Sequence, residues 1–138
     1  MAERKSKKAK AIVARGKRKE AIARASLKEG SGIIRINGIA LAALNSPFAR
    51  NIISEPLHFA DTSKYDINVS VNGGGEMGQA QAVRTAIARA LVQASGDDAI
   101  RKAMLEHDRS LLVEDSRRVE PKKFKGPKAR ARFTKSYR

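Results

Sequence analysis

Tyr65-Asp66-Ile67-Asn68-Val69-Ser70-Val71 runs directly into Asn72-Gly73-Gly74-Gly75 and then Glu76-Met77-Gly78-Gln79-Ala80. The first seven residues alternate strictly. Tyr65, Ile67, Val69 and Val71 share one face, and Asp66, Asn68 and Ser70 the other, which is the pattern of a strand buried on one side. An asparagine and three glycines then break the strand. From Glu76 to about Ala94 the period becomes helical. Ala80, Val83, Ile87, Leu91 and Ala94 lie on one stripe, with Arg84 and Arg89 off it. A half-buried strand that turns through glycines into an amphipathic helix implies a helix laid on a sheet, and sets the fold class as α+β.

Upstream, Ala11 to Leu27 holds short β-leaning pieces around the basic cluster Arg15-Gly16-Lys17-Arg18-Lys19. Lys28-Glu29-Gly30-Ser31-Gly32 reads as a turn and Ile33 to Ile36 as a strand, so a hairpin is expected across residues 28–32. Ser46-Pro47 has helix-start chemistry, with Phe48, Ile52 and Ile53 facing the core and Pro56 ending the helix. Downstream, Gly96 stops the long helix. Ser95-Gly96-Asp97-Asp98 then offers a serine with an acid three residues on, a variant of the capping box. Ile100, Ala103, Met104 and His107 continue a short amphipathic helix, and Leu111-Leu112-Val113 is a last apolar patch. The expected order is strand, strand, helix, strand, helix, helix, tail, with the helices on one face of a small sheet. Residues 11–116 form the globular domain, 1–10 a basic disordered extension and 117–138 an extended basic arm.

The 138 residues carry 29 lysines and arginines against 14 acids, a net charge of +15. The excess sits at the ends: +8 over residues 1–30, −2 over 31–116 and +9 over 117–138. Such ends attract polyanions and stay disordered without one. Each phosphate they neutralise releases counterions, so binding should weaken steeply with salt. Three of the six aromatics, Phe124, Phe133 and Tyr137, are interleaved with the tail's cations, among them Lys122, Lys123, Lys125, Lys128, Arg130 and Arg132. That pattern suits phosphate anchoring with occasional stacking on bases. Fully extended, the 22 residues from Arg117 would reach roughly 70 Å, and Gly126-Pro127 should keep the arm from folding on itself.

Several function classes are not supported. The chain has no cysteine, so disulfides, thiol catalysis and cysteine metal sites are excluded. His58 and His107 have no metal-ligand spacing, and no nucleophile–base set is recognisable. No apolar run approaches bilayer length, and the basic start leads into no apolar segment of signal-peptide length. Asn68-Val69-Ser70 matches a glycosylation sequon only by pattern. Gly73 to Gly78 matches G-x-G-x-x-G, but the acids that should end a following parallel strand, Asp97 and Asp98, open a helix instead. The other reading of these glycines is a turn whose backbone N–H groups at a helix start approach an RNA phosphate, with Gln79 projecting beside them. No catalytic residue, metal or cofactor is expected. A free-standing nucleic-acid binder and a nucleotide-dependent enzyme remain as alternatives to a fixed RNA-bound role.

The residues also resemble a known family. Gly16-Lys17-Arg18-Lys19-Glu20-Ala21-Ile22-Ala23-Arg24 is similar to the GRRKEAVAR opening of the small-subunit ribosomal protein S-nine family. Residues 73–80 resemble its GGG-x-x-GQA turn and 86–92 its helix. Residues 115–123 resemble its D-x-R-x-x-E-x-KK segment and 129–138 its terminal arm. The Lys-Ser-Tyr-Arg ending resembles the archaeal and eukaryotic branch, and the lysine-rich start the archaeal members. The resemblance implies the fold of the second domain of ribosomal protein S-five, with a left-handed β-α-β crossover. It implies a cytoplasmic structural role in the head of the small subunit, on the 3′ major domain of the ribosomal RNA and beside neighbouring head proteins. It implies no membrane partner and no homo-oligomer. Residues carried over as rRNA contacts are Arg15, Lys17, Arg18, Lys19, Gly73, Gly74, Gly75, Arg117, Arg118, Lys122, Lys123, Arg130 and Arg132. The tip, Lys135, Ser136, Tyr137 and Arg138, is carried over as the contact with the anticodon stem-loop of peptidyl-site tRNA.

Overall fold

The computed structural model describes residues 11–137; the expectations for residues 1–10 and for Arg138 lie outside them. Five strands, β1 (Ile12–Arg18), β2 (Ala21–Glu29), β3 (Ile34–Ile36), β4 (Ile39–Ala40) and β5 (Tyr65–Asn72), form one mixed sheet in the order β1-β2-β5-β3-β4. Three helices, α1 (Pro47–Ser54), α2 (Glu76–Ser95) and α3 (Asp98–His107), complete the α+β domain together with short 3₁₀ turns. All strand pairs are antiparallel except β3 with β5.

The strand expected from the alternation at 65–71 is β5. Ile67, Val69 and Val71 are buried, and Asn68, Ser70 and Asn72 are exposed. The hairpin expected across residues 28–32 does not form. It lies one step earlier, where β1 and β2 meet across Lys19-Glu20 with Arg18 opposite Ala21. That turn has no Asn-Gly or Asp-Gly signature, and Lys19 itself takes the left-handed conformation (φ 52°). The 28–32 segment is tied to β5 instead. Asp66 Oδ1 accepts from the backbone N–H of Ser31 (2.8 Å) and Ile33 (3.1 Å), and Gly30 N–H donates to the Lys64 carbonyl (2.9 Å). β5 therefore enters between β2 and β3. The side chain of Asn37 extends the parallel ladder, accepting from Val71 N–H (2.9 Å) and donating to its carbonyl (3.1 Å) as a peptide group would.

Helix α2 is buried on more than the one expected stripe: Ala82, Thr85, Ala86, Ala88 and Ala90 join Ala80, Val83, Ile87 and Leu91. One side lies on the sheet. The other holds a second cluster of Ala88, Met104 and Leu111. The sheet-facing contact is built from small residues: Ala14, Gly16, Ala21, Ala23 and Ala25 from the strands. Gly16 marks the closest approach, since a Cβ there would lie 2.1 Å from the Ala82 carbonyl oxygen and 2.6 Å from the Ala86 nitrogen.

At α1, Ser46 Oγ accepts from Ala49 N–H, as the expected cap. The buried stripe runs through Ala49 and Ile53, which leaves Phe48 to the side and 72% exposed. It is not a core residue. Ser95 does not cap α3. It is the last residue of α2, and Asp97 stands at the N-cap with no side-chain bond to the helix. Ala103 is exposed, while Met104 is fully buried. The α3 end is held by charge: Arg84 pairs with Glu55 (2.8 Å) and Asp108 (2.5 Å), and His107 Nε2 lies 3.0 Å from Glu55. Among the described residues no helix is long and apolar enough to cross a membrane.

Two outcomes follow for stability. Gly16→Ala forces backbone against backbone and should destabilise by about 3 kcal/mol or more in urea unfolding. Gly75→Ala, where a Cβ meets nothing within 4 Å, should be close to neutral. Asp108 is the second case. Hydrogen bonds from Ser110, with Arg84 adding to them, lower its carboxyl from 3.8 to about 2. The unfolded chain therefore takes up this proton first as pH falls. The contribution is complete above about pH 4 and is lost as pH falls through about 2. Asp108→Asn should flatten the acid limb of the stability curve over that window, read by thermal unfolding at successive pH values.

Candidate nucleic-acid interface

The basic cluster of β1 and the root of the C-terminal arm, about a hundred residues apart in sequence, meet at one end of the domain. Arg18 belongs to that junction more than to the solvent. Its Nε donates to Gln81 Oε1 (2.8 Å), and its Nη1 lies 3.1 Å from Asp115 Oδ2, an ion pair too poorly angled to be a hydrogen bond. Its side chain is only 17% exposed. Arg117 grips the same carboxylate from outside through Nε and Nη2 (2.9 and 2.6 Å to Oδ2). Those bonds, helped by the Arg117 backbone N–H and by Arg18, hold the Asp115 carboxyl well below the usual carboxylate range. Arg118 donates to the Lys19 carbonyl.

One residue earlier, Glu114 pairs with Arg89 (2.9 Å) and Arg15 (3.7 Å). Arg89 also donates to the carbonyls of Leu112 (2.9 Å) and Arg15 (2.8 Å). The segment 112–118 is thus stitched to β1. A polar cavity of about 260 Å³ at the junction is lined by Lys17, Arg18, Arg84, Asp108, Asp115 and Arg117, among others. Sequence reading placed Arg84 and Arg89 off the apolar stripe and gave them no role. Their signal was there: an arginine on a helix packed this densely has to be paired.

The glycine turn closes the same end. Gly73 has φ 76°, and a Cβ on it would lie 2.6 Å from the Glu20 carbonyl oxygen; Gly74 has φ 68° and a Cβ 2.9 Å from the Ala21 nitrogen. Both glycines are therefore demanded by the β1–β2 turn pressed against them, whatever else they touch. Gly75 precedes α2 with no side-chain cap on the helix and open space before it. Gln79 does not project. Its Nε2 donates back to the Gly73 carbonyl (3.1 Å). The structure brings Arg15, Lys17, Lys19, Gly73, Gly74, Gly75, Arg117 and Arg118 to one end, and assigns Arg18 and Gln79 to internal bonds.

Residues 117–137 form no helix or strand. The arm nevertheless folds on itself locally, against the expectation for Gly126-Pro127. Glu120 takes Lys123 on one oxygen and Arg130 on the other (2.9 Å), and these two, Lys123 first, hold its carboxyl below the ordinary value. Gly126 is buried inside the loop, where a Cβ would lie 2.3 Å from the Ala131 carbonyl oxygen, so the glycine permits the turn. Lys125 Nζ stands 5.9 Å over the Phe124 ring. Lys122, Lys128, Arg132 and Lys135 are exposed and make no ion pair among the described residues. Phe124, Phe133 and Tyr137 are exposed too, and so is Ser136. The outer arm is a row of free cations and open rings.

The chain is 50% identical to small ribosomal subunit protein uS9 of Methanothrix thermoacetophila over 131 residues, 94% of this chain and 99% of the relative. It is 48% identical to small ribosomal subunit protein uS9 of Halobacterium salinarum over 126 residues, 89% of this chain and 96% of the relative. Both relatives are archaeal, within the archaeal and eukaryotic branch that the ending suggested and in line with the lysine-rich start. The family model described as Ribosomal protein S9/S16 matches residues 16–138, from the β1 glycine through the whole arm, and the chain belongs to that family.

Proposed function

We propose that this protein is a structural constituent of the small ribosomal subunit. It docks on rRNA of the subunit head through the end of the domain where Arg15, Lys17, Lys19, the 73–75 turn and Arg118 converge. Its arm runs outward along RNA and carries Lys135, Ser136, Tyr137 and Arg138 to the anticodon stem-loop of peptidyl-site tRNA. It works in the cytoplasm, beside neighbouring head proteins, as a single copy and without chemistry of its own. The parallel β3/β5 pair joined through α1 supports kinship with the second domain of ribosomal protein S-five and its left-handed crossover.

The observation that carries this reading is the division of the cations. Arg18, Arg84 and Arg89 are engaged inside the domain. Glu114 and Asp115 fix the arm's root. Beyond the root, Lys122, Lys128, Arg132 and Lys135 stand free. A solvated tail needs no such anchor, whereas an arm that must enter RNA in one direction does. Sedimentation of a native extract on a density gradient tests the placement. Co-migration with small subunits through a moderate-salt wash, at about one copy each, supports it. Recovery at the top of the gradient favours a mobile nucleic-acid binder.

Two variants separate anchoring from RNA contact. Lys122, Lys128 and Arg132 changed together to alanine should lower the log–log salt slope of rRNA binding by about 2 to 3 and leave the melting temperature unchanged. Arg18→Ala should do the reverse, lowering the melting temperature with little change in slope. Deleting residues 135–138 should leave assembly into subunits intact and speed dissociation of peptidyl-site tRNA; an unchanged dissociation rate would remove the tip from that role.

A further inference from the structure

The helices cover one face of the sheet, and among the described residues the other face is open. Along β1 and β2 the residues turned to it are Val13, Arg15 and Lys17, and Ile22, Arg24 and Ser26. β5 contributes Asn68, Ser70 and Asn72, and β3 contributes Arg35, which stands opposite Asn68. Arg24 and Arg35 are exposed, and neither makes a hydrogen bond or ion pair through its side chain among the described residues. The register sets Arg15 directly opposite Arg24. Two like charges across a strand pair weaken a sheet; Glu114, 3.7 Å from Arg15 at the edge of β1, offsets part of that cost. No acid among the described residues pairs with Arg24 or Arg35. Asp66 is taken up by the backbone N–H groups of Ser31 and Ile33, which hold its carboxyl below the ordinary value, and Glu20 lies at the end, in the β1–β2 turn.

Two open grooves meet at Arg24. One, of about 330 Å³, runs past Val13, Ser26, Asn68 and Ser70; the other, of about 340 Å³, runs past Ile22, Ser70 and Asn72 toward Gly73. Hydroxyls and amides line them together with Val13, Val69 and Ile22, Glu20 closes the far end of the second, and no aromatic side chain is present. A surface of cations interleaved with small neutral donors and acceptors fits phosphates and ribose hydroxyls, and offers nothing for a base to stack on.

We propose that this open face is a second RNA-backbone surface, with Arg24 and Arg35 as phosphate contacts alongside Arg15. The inference rests on the proposed ribosomal role and adds to it. RNA then reaches the domain across the sheet as well as at the arm's root, and a phosphate near Arg24 relieves the Arg15–Arg24 repulsion.

The test uses the full chain and a transcript of the 3′ major domain of small-subunit RNA. Arg24→Ala with Arg35→Ala should lower the log–log salt slope by about 1.5, while the melting temperature of the free protein stays level or rises. Arg24→Lys with Arg35→Lys should keep the slope. A photo-cross-linker placed at Ser70 should yield an RNA adduct in assembled subunits. An unchanged slope for the alanine pair, with wild type binding normally, overturns this inference and leaves the ribosomal role standing. An adduct with protein and none with RNA also overturns it, and makes the face a contact for an acidic neighbour. Wild type that fails to bind the transcript overturns the ribosomal role and the inference with it.

Discussion

The closeness of α2 to the β1–β2 pair is the constraint on which the rest of the domain depends. It exists because the contacting positions are glycine and alanine. Gly16 admits the backbone of Ala82 and Ala86 where even a methyl group would not fit. Ala14, Ala23 and Ala25 keep the surface low on either side. Small residues bury little area each, so such a contact is not driven strongly by any one side chain. It gains from dense packing over the whole length of the helix. With α2 set this close, its first turn falls beside the β1–β2 turn, which leaves only glycine able to occupy positions 73 and 74. Its arginines then come within reach of β1, of Asp108 and of Glu114. The electrostatic structure of the domain therefore depends on a steric fact.

That electrostatic structure answers a problem posed by composition. A chain with this excess of positive charge repels itself, and its most basic segments lie at opposite ends of the sequence. The fold brings one of them, the end of β1, against the root of the other. Three acids make this tolerable. Glu114 and Asp115 each stand between arginines from distant elements, and Glu120 gathers Lys123 and Arg130 within the arm. These carboxylates are scarce in the C-terminal part, and each is used where two cations would otherwise face one another. At the arm's root the bonds from Arg117, with Arg18 adding to them, hold the Asp115 carboxyl well below the usual range, so that attachment persists into strong acid.

The strand at 65–71, the glycine break and the long helix could be read directly, because strict periodicity over many residues reports burial. Ser46-Pro47 was equally plain, since its chemistry is local. The β1–β2 hairpin was not, because its turn is Lys19-Glu20, and a lysine in the left-handed conformation leaves no mark in composition. Nor was the insertion of β5 between β2 and β3, which depends on an aspartate at 66 capturing backbone groups more than thirty residues away. Phe48 shows the limit of hydrophobicity as a guide, since a two-turn helix can bury only one narrow stripe. At the candidate interface, residue type found the cations but could not sort them. Arg18 sits within the run Lys17-Arg18-Lys19 and differs from its neighbours only in facing Gln81 and Asp115.

That sorting bears on how charge should be counted in such a protein. Arginine presents a rigid planar fork and holds its charge when partly buried, whereas lysine is a strongly hydrated point charge on a flexible stem. The domain uses arginine at its internal junctions: Arg18, Arg84 and Arg89 each bind two or more partners. Lysine dominates among the unpaired cations of the outer arm. An arginine already shared among carboxylates and carbonyls releases few counterions when a phosphate approaches, because it carried few to begin with. The salt dependence of RNA binding is then set by the free subset and not by the net charge of the chain. Arg24 and Arg35, like Arg101 and Arg109 on the helical side, are exposed arginines of the domain with no ion-pair partner among the described residues. What sets the first two apart is their place on one open sheet face, where Arg24 stands opposite Arg15. Unlike Arg18, Arg84 and Arg89, whose partners lie within the domain, they keep their full counterion shell for an approaching anion to displace.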